Sequence, residues 1–117
     1  MHLAYYAHPM SIYNTAQETR DLEIIKELGF EVLNPNGPEH DAGYKAKGMD
    51  YFDECTKDCT IIVFRAFPDG SIPAGVAKEI EFFRKRNLPV IELPVAVARR
   101  SLSVEATREA LKECGFR

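Results

Sequence analysis

A chain of 117 residues is long enough to fold as one domain with its own core and short for two. With 45% hydrophobic and 28% charged residues it has the balance of a globular protein, and no apolar run approaches the length of a membrane span. A net charge of −3 gives no electrostatic footprint for nucleic acid. The small clusters Arg84-Lys85-Arg86 and Arg99-Arg100 read as a solvated helix face and a loop, and a phosphate contact from a neighbouring subunit is the alternative use for Arg99 and Arg100. Cys55, Cys59 and Cys114 are an odd count without a CxxC pair, which argues against a disulfide framework and against a metal site and points to a reducing cytoplasm. Met1-His2-Leu3 runs straight into a strand pattern, so no signal peptide is expected.

In chain order, Leu3 to Ala7 is a short uncharged run ending before Pro9 and reads as a buried strand. Thr15 with Glu18 three residues on is a capping box, and Leu22, Ile25 and Leu28 recur at helical spacing until Gly29 stops the helix. Phe30 to Leu33 is the next strand. Residues 34–44, NPNGPEHDAGY, are rich in turn formers and long for a plain connection, the kind of loop that carries function. A helix is expected over Met49 to Lys57, then the strongest strand, Thr60 to Phe64, β-branched and without alternation, as a central parallel strand should be. After a turn, a helix from Ala74 to Arg86 leads to a strand over Pro89 to Leu93, and Ser103 caps a last helix reaching Cys114.

This alternation predicts an α/β fold, a doubly wound parallel sheet in a single domain spanning 1–117. In such sheets ligands bind beyond the carboxyl ends of the strands, here the loops holding His8, Pro9, Ser11, residues 34–40 and the approach to the Ala74 helix. Within that helix Glu79 has Val76, Phe82 and Phe83 at i−3, i+3 and i+4, which sets a carboxylate against an apolar helix side near the positive end of the macrodipole. Such a group is a candidate nucleophile or base; the alternative is a surface Glu whose methylenes cover a phenylalanine. Glu81, with Lys85 at i+4, reads as an ordinary exposed ion pair. Cys55 and Cys59 read as small core hydrophobes, and His40 as a solvated loop histidine.

The stretches YYAHP (5–9), TIIVF (60–64) and GVAKEIEFFRKRNLPVIEL (75–93) resemble, in order, the opening strand, the central strand and the G-x-x-x-E helix with its following strand in the nucleoside 2-deoxyribosyltransferase superfamily, which also includes nucleoside monophosphate N-glycosidases. The resemblance implies a flavodoxin-like fold, a homodimer, no cofactor, and cleavage or transfer of an N-glycosidic bond with Glu79 attacking C1′ of the sugar. It also implies that Tyr5 orients Glu79, that Gly75 is the motif glycine, and that an acid near Asp50 or Asp53 assists departure of the base. His8 stands where the family usually has glycine and Pro73 where it often has Asp or Ser, so a 5′-phosphate would fall to Ser11, Ser71 or the helix start. The helix around Met49, Tyr51 and Phe52 offers apolar surface for a second copy. The expected partner is then a nucleoside or nucleotide, with no nucleic acid and no membrane. A non-catalytic module that binds or senses a nucleotide derivative is the other reading, since one fold hosts many functions.

Overall fold

The computed structural model describes residues 2–95 and 101–116. Four strands, β1 (Leu3–Ala7), β2 (Glu31–Leu33), β3 (Ile61–Phe64) and β4 (Val90–Glu92), form an all-parallel sheet in the order β2-β1-β3-β4. Five α-helices lie among the described residues: α1 (Ala16–Glu27), α2 (Asp41–Lys47), α3 (Met49–Cys55), α4 (Ala74–Lys85) and α5 (Val104–Glu113). The register sets Ala7 opposite Phe64 and Phe64 opposite Glu92, so β1, β3 and β4 finish level and their following loops open on one edge. Successive side chains alternate between the two faces, and both faces are covered. Tyr5, Ala7, Ile62 and Phe64 pack with Phe52 of α3 and Val76, Ile80 and Phe83 of α4, whereas Ala4, Tyr6, Ile61 and Val63 pack with Ile25 of α1.

The structure amends the sequence reading in several places. Residues 34–44 are not simply a loop: a 3-10 turn, Pro38–His40, leads into α2, so two helices connect β2 to β3. Leu28, placed on the buried side by its spacing, is exposed at the C-cap of α1, and Asp21 takes up the buried face instead. Glu81 does pair on the surface, but with Arg84 at 3.3 Å rather than with Lys85. Phe52 is buried in the core and offers no surface to a second copy. Ser103 caps α5 as expected, by accepting from the Ala106 amide at 3.1 Å, but residues 101–116 are exposed throughout. Arg99 and Arg100 lie outside the described residues.

Asp21 is fully buried and has four donor contacts. Arg65, just beyond β3, donates Nε to Oδ2 at 2.6 Å and an Nη to Oδ1 at 2.7 Å; Tyr6 donates to Oδ2 at 2.6 Å and Gln17 to Oδ1 at 2.7 Å. Burial alone would raise this carboxyl, but the hydrogen bonds from Arg65, Tyr6 and Gln17 outweigh it and hold the pKa below the usual carboxylate range. A group so depressed contributes stability at neutral pH that disappears as pH falls through its folded pKa. Asp21→Asn removes the charge and leaves Arg65 buried without its counter-ion. Urea unfolding at pH 7 is expected to show a loss of about 3–5 kcal/mol, the usual cost of breaking a buried pair from one side. The difference from the parent should shrink on acidification.

Candidate functional site

Beyond the carboxyl ends of β1 and β3 lies a cavity of about 620 Å³ with mostly apolar walls. Its size is that of a small-molecule site. Three parts of the chain build it: the loop after β1, the segment from Pro35 through α2, and the start of α4. Of the residues marked out by sequence, Tyr5, His8, Pro9, Pro73, Gly75 and Glu79 line it. Ser11, Ser71, Asp50 and Asp53 are not among the lining residues. Ser71 turns to Asp69, donating at 2.6 Å, and Asp53 faces Lys78 at 3.8 Å.

Helix α4 starts at Ala74 because Pro73 fixes the preceding φ at −57° and the Ala77 amide donates back to the Pro73 carbonyl at 2.9 Å. A proline offers no capping side chain, so the first N–H groups of the helix lack such a partner. Val76, Ile80 and Phe83 then turn one face into the core and carry Glu79 with them. Glu79 is 7% exposed, and its Oε2 is buried without a hydrogen-bond partner in the structure. Burial pushes its pKa up to about 7; a hydrogen bond from Tyr5 and the charge of Lys78 pull it down, and the charge of Asp53 pushes it further up. Tyr5 in turn titrates well above an ordinary phenol, first from burial and then from the Glu79 charge. Asp53 thus acts on the site through its field, from outside the cavity.

His8 forms part of the wall with both ring nitrogens occupied. Nδ1 lies 3.0 Å from the Tyr6 carbonyl and Nε2 2.8 Å from Glu18 Oε2, and the ring stacks on Tyr6 at 3.7 Å between centroids and 4° between planes. Burial pulls the imidazole pKa down and Glu18 holds it up; both acceptors are satisfied only while the ring is protonated. Glu18 is the second half of the expected capping box, yet only one half forms. The Thr15 side chain accepts from the Glu18 amide at 3.4 Å, while the Glu18 carboxylate goes to His8, to the Asn14 amide and to Asn36. Asn36 sits in the segment after β2 and also donates to Asn14 Oδ1 at 3.1 Å, so the two loops that flank the cavity are tied together through one carboxylate.

Sequence reasoning left several lining residues unmarked, Met10 and Tyr13 after β1 and Asp41 and Tyr44 in α2, and it reads His40 as a solvated loop histidine and Phe52 as surface for a second copy, whereas both line the cavity. The signal that could have found Asp41 and Tyr44 is the unusual length of the 34–44 connection. Tyr13 is pushed up to about 12 by burial and by the Glu79 charge, and its ring tilts against His8 at 4.8 Å. Among the described residues no group of three His, Cys, Asp or Glu side chains is placed to hold a metal ion, and no helix is long and apolar enough to cross a membrane.

The comparisons with known proteins decide less than the geometry. No family model matches the chain, and no curated protein matches it significantly. The arrangement itself offers one buried carboxyl with a free oxygen, a phenol beside it, apolar and aromatic walls, and the opening N–H groups of α4.

The raised pKa of Glu79 has a definite consequence for stability. Between the ordinary carboxyl value of 4.5 and about 7, the unfolded chain releases this proton while the folded chain keeps it, so the native state loses stability as pH rises through that window. The loss above pH 7 is on the order of 3 kcal/mol. Glu79→Gln keeps the shape and removes the charge. Its melting temperature is expected to exceed that of the parent at pH 8 and to converge with it near pH 4.5.

Proposed function

We propose that this cavity cleaves or transfers the N-glycosidic bond of a nucleoside or nucleoside monophosphate, with Glu79 as nucleophile, on a flavodoxin-like domain of the nucleoside 2-deoxyribosyltransferase kind. The observation that carries the proposal is the unpartnered, buried Glu79 oxygen in the wall of an otherwise apolar cavity. A carboxyl with no internal role, kept from water and poised near neutral pH, suits attack on an electron-poor carbon. The resemblance around YYAHP and GVAKEIEFF supports the same reading, and Tyr5 stands beside the carboxyl as that resemblance implies.

In this reaction the ionised Glu79 approaches C1′ as the bond to the base breaks, and the bonding pair leaves with the base. The resulting sugar ester is opened by water or by a second base. Tyr5 donates to the carboxylate and fixes its direction, and the apolar walls accept the flat base while limiting water. Pro73 has neither an N–H nor a hydroxyl, so the start of α4 offers any 5′-phosphate its backbone N–H groups alone. We place the reaction in the cytoplasm and the working form in a homodimer. With Phe52 buried, the surface for a second copy falls to the exposed apolar residues of the α5 region, Leu102, Val104 and Leu111.

Two measurements test the proposal. Incubation with a panel of nucleosides and their monophosphates should release free base, read by chromatography, and Glu79→Ala should lower the rate by orders of magnitude with folding intact; a folded variant with full activity would refute it. The acid limb of the parent profile should rise through about pH 7 as Glu79 ionises. Binding of a nucleotide without any release would instead favour a sensing module. For the assembly, light scattering at micromolar concentration should give twice 13.2 kDa.

A further inference from the structure

Departure of a nucleobase leaves an electron pair on a ring nitrogen, and a site that cleaves such bonds gains rate by delivering a proton there. The acids suggested by the sequence, Asp50 and Asp53, do not line the cavity, and Asp53 faces Lys78. Asp41 does line it, but its carboxylate is held as an acceptor by Lys45 at 2.9 Å. His8 has both nitrogens occupied. The remaining imidazole of the cavity wall is His40.

His40 ends the 3-10 turn before α2 and shares the cavity wall with Glu79. Its side chain is only 12% exposed, unlike a solvated loop histidine. Nδ1 lies 2.8 Å from the Tyr51 hydroxyl oxygen, and the ring leans on Tyr51 and Phe52 at 5.8 and 6.4 Å between centroids. Gly43 makes room for this: a Cβ at that position of α2 would overlap the Tyr51 ring. In the imidazolium form both ring nitrogens are donors, so Nδ1–H goes to the Tyr51 oxygen. The proton left to transfer is at Nε2, where the exposed Glu39 carboxylate stands 3.6 Å away, too far for a hydrogen bond.

We propose that His40 is the general acid of this site, donating its Nε2 proton to the departing base. The inference rests on the glycosidic reading above. As the bond from C1′ to the base breaks, its electron pair passes to the base and takes up the Nε2 proton of the imidazolium. The ring becomes a neutral imidazole that keeps Nδ1–H on Tyr51, and Glu79 supplies the new bond to C1′. Solvent on the Glu39 side returns the proton. Tyr51 is a positioning residue, fixing which nitrogen points to the ligand.

The test is the dependence of rate on the leaving base. Values of kcat/KM are measured for a series of nucleosides graded by the acidity of the base released, ending in an N7-methylated purine nucleoside, whose base leaves without needing a proton. His40→Gln should lose about 10²–10⁴-fold on the poorest leaving group and no more than about threefold on the N7-methylated one, steepening the plot against base pKa. Thermal melts of both proteins confirm folding. A uniform loss across the series, or no loss on the poorest leaving group, overturns the assignment of His40 and leaves Glu79 chemistry standing. Absence of base release from every member by the parent protein overturns the glycosidic reading and this inference together.

Discussion

The buried pair between Asp21 and Arg65 is the constraint around which the remaining elements are arranged. One carboxylate with no exposure joins α1, through Asp21 and Gln17, to β1 through Tyr6 and to the exit of β3 through Arg65, which also donates to the Pro94 carbonyl beyond β4 at 2.6 Å. Three segments far apart in sequence are thus fixed at the edge where ligands enter such sheets. Desolvating two charges is costly, and hydrophobic residues of the same volume could be as stabilising. What the ions add is direction. Tyr6 is held by its hydroxyl, His8 lies flat on the Tyr6 ring, and the edge of His8 is cavity wall, so the orientation of the site follows from a charge pair on the other face of the sheet.

A second network continues from there. His8 donates to Glu18, and Glu18 accepts from Asn36 across 18 residues of sequence, so the loop after β1 and the segment after β2 are set relative to each other. This is why Glu18 does not complete the capping box. Four donors compete for its two oxygens: the His8 ring, the Asn14 amide, the Asn36 amide and, in the capping box, the Thr15 amide. The first three meet it, and the fourth turns elsewhere, to the Ile12 carbonyl at 3.2 Å.

The strands were legible because each is a short apolar run between turn residues, and the central position of β3 followed from its lack of alternation. Glu79 was legible as an anomaly, since a carboxyl with Val76, Phe82 and Phe83 at helical spacing has few reasons to be there, although spacing alone left a surface position open. The buried face of α1 was misjudged at its end. Periodicity favours Leu28, but the partner that draws Asp21 inward is Arg65, 44 residues away, and no local pattern encodes such a pair. The same holds for the cavity wall between β2 and α3. Proline, glycine and asparagine mark residues 34–38 as irregular, but the short α2 has no buried residue to announce it, and it is held by packing of Gly43 on Tyr51.

That packing explains why an apolar cavity persists at an open sheet edge. Helix α2 buries none of its own residues, so by itself it has little to keep it in place. Tyr51 and Phe52 provide the missing surface: Phe52 enters the core beside Ile80 and Val76, Tyr51 lies against Gly43, and Tyr44 of α2 tilts over Phe52 at 5.4 Å. The core therefore reaches α2 through two adjacent aromatic rings. The side of the cavity built from α2 thus leans on the core through neighbouring aromatic rings, while Glu79 sits on a helix whose own Val76, Ile80 and Phe83 are core residues. A carboxyl carried on such a helix has its direction set by the main core.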